Sequence, residues 1–565
     1  MRPATVSRLT MAVAALVCAL LALHPPAAQA ASYTKISGAG STWSSNALDQ
    51  WRRNVASNSG MTVNYQAVGS SVGREQFKNG TADFAVSEIP YGLTEAGMRD
   101  APPKRGYAYM PIVAGGTAFM YNLRIGGKKV TNLRLSGEVI TEIFTGKITM
   151  WNDPAVRADN PGLTLPARRV IPVVRSDGSG TTAQLTTWMA KEHAGLWDDY
   201  CKRAGRSTPC GMTSYFPVVP GSSHIAKSGS LGVSGYTKQG HAEGAITYVE
   251  YSYAMNTGFP VAKMLNAAGY YVEPTASSVA VALMRARINE DKNSENYLTQ
   301  ILDGVYRSAD RRTYPLSSYS YMVVPTSTEQ PFTQAKGRTL GTFANYFLCD
   351  GQKQAEELGY SPLPKNLVEA GFAQVRRIPG APTGSIDIKK CRNPTFSSDG
   401  SNTLAENAPY PKACDKRGPQ QCADGTAGAK QQTRVNPGAS GGGSGGSGGT
   451  GSGSGSSSGG ATTAGSSGGG SSGTDGASGG TAGSSSGGVI DPDTGELISN
   501  DSTGAGAGDA SVVGNPVTLA AGDSPGLRGV LMALSALLLL GVVVGPPLTA
   551  RALVARGRRK EGTLR

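Results

Sequence analysis

The tract 436–488 consists almost entirely of glycine, serine, alanine and threonine, and it limits where this chain can fold. A segment with so little apolar surface cannot offset the conformational entropy that is lost on ordering. We therefore interpret residues 436–525 as a disordered Gly/Ser-rich linker. The folded body of the 565-residue chain is expected before this linker.

Two apolar segments lie near the ends of the chain. Residues 1–30 have the pattern of a secretory signal peptide, with a basic start, an apolar middle and a small-x-small cleavage site that ends at Ala30. Residues 529–550 are long enough to cross a hydrocarbon core of roughly 30 Å as a helix. The basic segment 551–565 predicts a cytoplasmic tail by the positive-inside rule. We therefore expect a single-pass protein of the cell membrane, with its folded body on the extracellular side.

The cysteine content agrees with export. Of the seven cysteines, Cys18 lies in the signal peptide, and an even set in a secreted chain is typical of disulfides. The predicted pairs, of which only the first and the last rest on proximity in the sequence, are Cys201 with Cys210, Cys349 with Cys391, and Cys414 with Cys422. The sequence has no C-x-x-C pair and no histidines at metal-ligand spacing, so we expect no metal or other cofactor.

Strand and helix patterns alternate over residues 33–378. Such alternation indicates an α/β fold with largely parallel sheets, and the segment is large enough that we expect two lobes. Residues 379–435 are rich in proline, lysine and cysteine, and we interpret them as a disulfide-pinned extension. The predicted strands are 63–68, 84–86, 112–121, 170–174 and 319–324, and the predicted helices are 46–55, 75–79 and 184–191.

Three short polar segments lie at the edges of apolar runs in the first part of the chain. One contains Ser41 and Thr42, which can cap the next helix or place its backbone N–H groups against an anion. A second, with Ser70, has the same strand-turn-helix context. A third ends in Glu88, a carboxylate at a strand end that would usually be solvated. Taken singly, each segment is better explained by an ordinary structural role.

A fourth polar segment is the most specific. Arg175 supplies a planar fork of donors that matches a tetrahedral oxyanion, and Asp177 can brace that fork. Ser179 and Thr181 add hydroxyls, and Gly180 exposes its N–H at a helix start. We therefore predict that this segment contributes to an oxyanion-binding site.

The same segment fits no common catalytic motif. A Walker phosphate loop requires a lysine that this turn lacks, and the order Asp-Gly-Ser-Gly-Thr around Ser179 is not a nucleophile elbow. We expect binding without catalysis. A secreted phosphatase or hydrolase that uses Ser179 is the alternative enzyme interpretation.

Read together, these segments resemble the phosphate-binding proteins of bacterial phosphate ABC transporters (PstS type). The resemblance covers residues 33–378 and implies a type II periplasmic-binding-protein fold, in which two hinge crossovers join the lobes around one phosphate. The implied domain is 31–378, with lobe one at 32–116 and 319–378 and lobe two at 117–318. The matching segments, in this order along the chain, are 38–43, 65–71, 83–88, 175–181 and 244–251.

The resemblance also implies a ligand set, in which Asp177 braces the single charged donor. Trp43 stands where the family pattern has phenylalanine. The implied contact with phosphate is through the backbone N–H, so the change of side chain should be tolerated. Glu88 stands where the family commonly has aspartate, whose carboxylate accepts the proton of phosphate and rejects sulfate. The implied phosphate ligands are Ser41, Thr42, Trp43, Ser70, Glu88, Arg175, Ser179, Gly180 and Thr181.

The predicted function is the capture of inorganic phosphate outside the cell and its delivery to the membrane permease of an ABC importer. The formal net charge of +13 suits an anionic ligand, although this charge alone would also suit nucleic acid. We expect no nucleic-acid partner and a monomeric binding domain. Because Glu88 is one methylene longer than aspartate, a receptor for sulfate, molybdate or arsenate stays open. A wall-display module that has lost its ligand is a further alternative.

Overall fold

The computed structural model describes residues 33–95, 98–382, 388, 391–397, 399–433, 489–490 and 497–498. The predicted signal peptide, membrane helix and cytoplasmic tail lie outside these residues, as does the linker apart from its four described residues. Within the described part, no helix has the length and apolar content needed to cross a membrane. The contacts divide the chain after Gly448, and the fold below belongs to the first unit.

The strands carry the framework of this unit. They are β1 (Ile36–Gly40), β2 (Val63–Gln66), β3 (Phe84–Ser87), β4 (Thr94–Glu95), β5 (Met98–Arg99), β6 (Tyr107–Tyr121), β7 (Arg124–Ile125), β8 (Lys128–Lys129), β9 (Arg134–Leu135), β10 (Ile171–Arg175), β11 (Ile225–Lys227), β12 (Ala245–Glu250), β13 (Val261–Leu265), β14 (Tyr271–Val272), β15 (Arg287–Ile288), β16 (Gln300–Ile301) and β17 (Ser317–Pro325). In the second unit, β18 (Val489–Ile490) pairs antiparallel with β19 (Leu497–Ile498).

The helices cover the faces and ends of the sheet. They are α1 (Ser45–Ser59), α2 (Ser70–Lys78), α3 (Gly137–Phe144), α4 (Pro154–Asp159), α5 (Gly180–Glu192), α6 (Ala194–Arg203), α7 (Gly229–Thr237), α8 (Tyr251–Thr257), α9 (Ala276–Leu283), α10 (Asp303–Tyr306), α11 (Gln334–Leu348), α12 (Lys365–Val375) and α13 (Thr403–Glu406).

The main strands form one mixed sheet in the order β11-β10-β12-β6-β17-β3-β1-β2. At one end β1 pairs in parallel with β2 and β3, and at the other β10 pairs in parallel with β11 and β12. Strands β6 and β17 run antiparallel to their neighbours between these two groups. Strands β3, β12 and β17 are buried along their whole length, as expected for strands covered on both faces. The α/β prediction is confirmed.

Strand β6 joins the two lobes. Its first part pairs with β17 as far as Gly116, and its last part pairs with β12 from Thr117 onward. We call the part built on β1, β2, β3 and β17 lobe one, and the part built on β9 to β14 lobe two. A Cβ atom at Gly116 would lie 2.4 Å from Pro274, so glycine permits close packing where the strand changes partner.

A C-terminal strap, residues 391–397 and 399–433, connects the lobes. The Cys349–Cys391 disulfide fastens its start to the end of α11 in lobe one. Its helix α13 packs against α9, which contacts the strands β6 and β17. Its last part lies on lobe two, where the Arg134 guanidinium donates at 3.1, 3.0 and 2.7 Å to the carbonyls of Cys414, Gly418 and Gln420.

The three disulfides of the described residues have the predicted pairing. Cys201 bonds to Cys210 beside α6, and the pair Cys414–Cys422 closes a small loop within the strap. Together with the bond at the start of the strap, they account for every cysteine of the predicted mature chain.

Candidate functional site

Turns at the ends of β1, β2, β10 and β11 meet between the lobes. Thr42 Oγ1 of lobe one lies 2.9 Å from Ser230 Oγ of lobe two. The N–H of Ser71 in α2 donates to the carbonyl oxygen of Gly178 at 3.1 Å. The side chains of the candidate ligands are buried, and the most exposed of them, Thr42, is 7% accessible. The fold therefore brings all the predicted site segments to one interlobe cleft.

Arg175 ends β10 and is held by Asp177. The Arg175 Nε donates to Asp177 Oδ1 at 2.7 Å, and Nη2 pairs with Oδ2 of the same carboxylate. Burial alone would raise the pKa of Asp177, but the hydrogen bonds and charge of Arg175 hold that pKa below its ordinary value. The remaining nitrogen, Nη1, has a long contact of 3.4 Å with Ser230 Oγ. One edge of the guanidinium is thus fixed, and the other is available to an anion.

The N-terminus of α5 faces the same cleft. Ser179 is its N-cap residue, and its Oγ accepts from the Thr182 N–H at 3.2 Å. The Gly180 N–H donates to Ser70 Oγ at 3.2 Å, and Thr181 Oγ1 is buried without a hydrogen-bond partner among the described atoms. First-turn N–H groups and the helix dipole favour an anion here.

Glu88 projects into the site from the end of β3. Its Oε2 accepts from the hydroxyls of Ser41 at 2.8 Å and Ser70 at 3.0 Å, and its Oε1 accepts from Ser320. Burial raises the pKa of this carboxyl above its ordinary value, and the hydroxyl hydrogen bonds lower it in part. The alternative of a solvated carboxylate is wrong, because Glu88 is 1% exposed.

The turn after β1 differs from the expected helix cap. Helix α1 begins at Ser45, and the side chain at its N-cap position, Ser44, makes no capping hydrogen bond. Ser41 Oγ instead accepts from the Trp43 N–H at 3.0 Å, and Thr42 faces lobe two. Ser41 and Thr42 therefore do not cap the helix.

The Trp43 side chain belongs to the core beneath the site. It is 1% exposed and lies edge-on to Tyr360, with 5.7 Å between ring centroids. Its backbone N–H, rather than the indole, is turned toward Ser41 and the cleft. This arrangement explains how a tryptophan can occupy the position without blocking an anion.

Three residues of the site were not predicted. Ser230 lies in the first turn of α7, which follows β11 in the same strand-turn-helix pattern that marks the predicted segments. Ser320 lies in the alternating Ser-Tyr-Ser-Tyr run of β17, so its orientation depends on the strand register. The Tyr248 hydroxyl accepts from the Arg175 N–H at 3.1 Å and lies 2.8 Å from Thr182 Oγ1. This hydroxyl therefore links the end of β10, at Arg175, to the first turn of α5, at Thr182.

The described residues contain no group of His, Cys, Asp and Glu side chains that could hold a metal ion. The donors of the cleft are one guanidinium, backbone N–H groups and hydroxyls, and the acceptor is one carboxyl. The donors can bind a tetrahedral oxyanion, and the carboxyl can accept a hydrogen bond from an O–H group of that anion.

Residues 25–351 match the family model of the PBP superfamily domain. The phosphate-binding protein PstS of Xylella fastidiosa is 32% identical over 345 residues, which cover 61% of this chain and 86% of that protein. The corresponding protein of Haemophilus influenzae is 30% identical over 343 residues, covering 61% and 92%. A crystal structure of a phosphate-binding protein from Stenotrophomonas maltophilia is 18% identical, covers 60% of this chain and 93% of that chain, and has a TM-score of 0.42. The family match and the two PstS relatives show that the chain belongs to the PBP superfamily and, within it, to the PstS-type phosphate-binding proteins.

Proposed function

We propose that this chain captures inorganic phosphate outside the cell and delivers it to an ABC importer. One observation carries the proposal: a buried guanidinium, a helix N-terminus and a buried carboxyl converge on one cleft. Arg175 and the start of α5 attract a tetrahedral oxyanion, and Glu88 accepts a hydrogen bond from a protonated one. The relatives named phosphate-binding protein PstS support the same ligand.

The nine predicted ligand residues form the proposed site, with Ser230 and Ser320 added from their contacts. Closure of the two lobes around phosphate is the change that a membrane permease would recognise. The role requires no chemical step. We further propose that the C-terminal segment 529–550 anchors the protein in the membrane, with the lobes outside the cell.

Isothermal titration of the purified protein with phosphate, sulfate, arsenate and molybdate tests this function. We expect tight phosphate binding and much weaker sulfate binding. We also predict that Arg175→Ala weakens phosphate binding by at least about tenfold, because charge-assisted hydrogen bonds are worth ~1.5–3 kcal/mol. Arg157→Ala, at an exposed position of α4, is the matched control and should leave the Kd unchanged.

Three outcomes would replace the proposal. Tight sulfate binding without phosphate binding would indicate a receptor for another oxyanion. Turnover of a chromogenic phosphoester that is lost in Ser179→Ala would indicate an enzyme. A protein that binds none of the four anions would indicate a display module. Protease treatment of intact cells tests the orientation, since lobes outside the cell are cleaved.

A further inference from the structure

A short hairpin beside the cleft places Glu95 opposite lobe two. Strands β4 and β5 form this hairpin, which extends from lobe one. Its base is held by Asp100, whose Oδ2 accepts from Arg74 Nε and Nη2 at 3.0 and 2.7 Å. Arg74 belongs to α2, the helix that starts at the candidate ligand Ser70. The hairpin is therefore braced against an element that carries part of the site.

The Glu95 carboxylate makes three hydrogen bonds to lobe two. Its Oε1 accepts from the backbone N–H groups of Ser214 at 2.6 Å and Tyr215 at 2.9 Å, and its Oε2 accepts from the Ser214 hydroxyl at 2.5 Å. Ser214 lies between α6 and β11 of lobe two, whereas Glu95 lies on the hairpin of lobe one, so these bonds join separate lobes. An ionised acceptor makes each bond stronger than a neutral pair would be.

Ser214 is in turn bonded to the turn that carries the anion donors. Its carbonyl oxygen accepts from the Ser179 N–H at 3.0 Å, and Ser179 caps α5. The N–H of the preceding residue, Thr213, donates to Thr186 Oγ1 of α5 at 3.0 Å. The segment that Glu95 holds is therefore fixed to the helix whose N-terminus faces the anion.

We propose that Glu95 is a positioning residue that fastens the two lobes together over the ligand and sets how long phosphate is retained. The identity of the ligand rests on the proposed function, whereas the fastening itself does not. When the lobes separate, the carboxylate exchanges its three donors for water. The bonds therefore stabilise the closed state and slow dissociation more than they speed association.

Rapid-mixing kinetics of phosphate binding to the purified full-length protein test this role. We expect Glu95→Ala to raise the dissociation rate constant at least about tenfold and to change the association rate constant by less than about threefold. Ser214→Ala, which removes one of the three donors, should have a smaller effect. The effects of Glu95→Ala and Ser214→Ala should not add in the double variant, because both act on one contact.

Glu75→Gln is the matched control, because Glu75 lies on the same lobe and, among the described residues, its side chain bonds only to Lys78 of its own helix and to Asn79 at the C-cap of that helix. It should leave both rate constants unchanged. An unchanged dissociation rate constant in Glu95→Ala would overturn the proposal, and so would an equal rise in Glu75→Gln. Additive effects in the double variant would also overturn it.

Distance measurements separate this proposal from the proposed function. Spin labels at Asn58→Cys and Lys238→Cys, both exposed and on different lobes, report the opening of the cleft. We expect Glu95→Ala to increase the open population without phosphate or at subsaturating phosphate. Identical distance distributions in the parent and the variant in both conditions would overturn the proposal that Glu95 fastens the two lobes together. A parent protein that binds no phosphate would refute the proposed function, while its distances would still test Glu95.

Discussion

Glu88 is the residue on which discrimination between oxyanions depends. It is buried, it accepts hydroxyl hydrogen bonds at both oxygens, and burial raises its pKa. Phosphate near neutral pH retains a proton that it can donate to such a group, whereas sulfate has none. A carboxylate that faces sulfate meets a like charge with no proton between the two groups, so Glu88 selects against sulfate.

We predict that Glu88→Gln lowers the ratio of the sulfate Kd to the phosphate Kd by at least about tenfold, or ~1.4 kcal/mol. The amide supplies N–H donors that a deprotonated anion can use. Titration calorimetry with both anions measures the ratio, and Glu290→Gln, at an exposed position, is the control. If the ratio of the sulfate Kd to the phosphate Kd is unchanged in Glu88→Gln, the Glu88 carboxylate does not discriminate between the anions by the proton of phosphate.

Glu250 is a second buried carboxyl, placed beside the lobe-joining strand β6. Its Oε2 accepts from the Ser252 N–H at 2.8 Å, while its Oε1 is buried without a partner among the described atoms. Burial raises the pKa of Glu250 well above its ordinary value, and the nearby titratable groups include the buried phenols of Tyr253 and Tyr360. At pH values between the ordinary pKa and the raised one, the folded protein therefore retains a proton that the unfolded chain releases.

This pKa shift predicts a pH dependence of stability. The contribution of Glu250 is fully present below its ordinary pKa of about 4.3 and is lost as the pH rises toward the folded value. Glu250→Gln cannot ionise, so the Tm of the variant minus the Tm of the parent should increase from pH 4 to pH 8. Thermal unfolding across this range measures the difference. A difference that is constant with pH would show that Glu250 does not titrate in this range.

At the scale of elements, the start of α5 requires glycine. A Cβ atom at Gly180 would lie 1.8 Å from Glu88 Oε2 and 2.7 Å from Ser70 Oγ. We predict that Gly180→Ala displaces the carboxylate and weakens phosphate binding by at least about tenfold. Gly235→Ala in α7 is the matched control, because a Cβ there meets nothing within 4 Å and alanine favours a helix. Equal phosphate affinities in the two variants would contradict this account of the turn.

Site residues in a local strand-turn-helix pattern could be predicted from the sequence, whereas those that depend on contacts between distant elements could not. The turns that carry Ser70 and Arg175 were predicted, because glycine and hydroxyl residues between a strand and a helix form a local pattern. Ser320 and Ser230 were missed, since their roles follow from pairing with residues about 190 or more positions away. The helix predicted at 75–79 begins earlier, at Ser70, because the polar residues of its first turn carry no apolar periodicity.

For the whole molecule, the strap adds covalent and polar restraints outside the matched family region, which ends at residue 351. Besides the carbonyls that surround Arg134, Lys263 Nζ lies 2.7 Å from Asp415 Oδ1 in a largely buried ion pair. One disulfide joins the strap to the end of α11 and the other lies within the strap, and the two restrain the unfolded chain over very different lengths. This difference can be measured.

The Cys349–Cys391 bond spans 42 residues and the Cys414–Cys422 bond spans 8. Chain entropy alone predicts that replacing the first pair by serine costs about 1.5 kcal/mol more than replacing the second. Denaturant unfolding of the two double variants, each compared with the parent, gives the two losses. The opposite order would mean that the Cys414–Cys422 loop acts mainly in the folded state, by holding the carbonyls that bind Arg134. In that case Arg134→Met should abolish most of the difference between the parent and the variant that lacks Cys414 and Cys422.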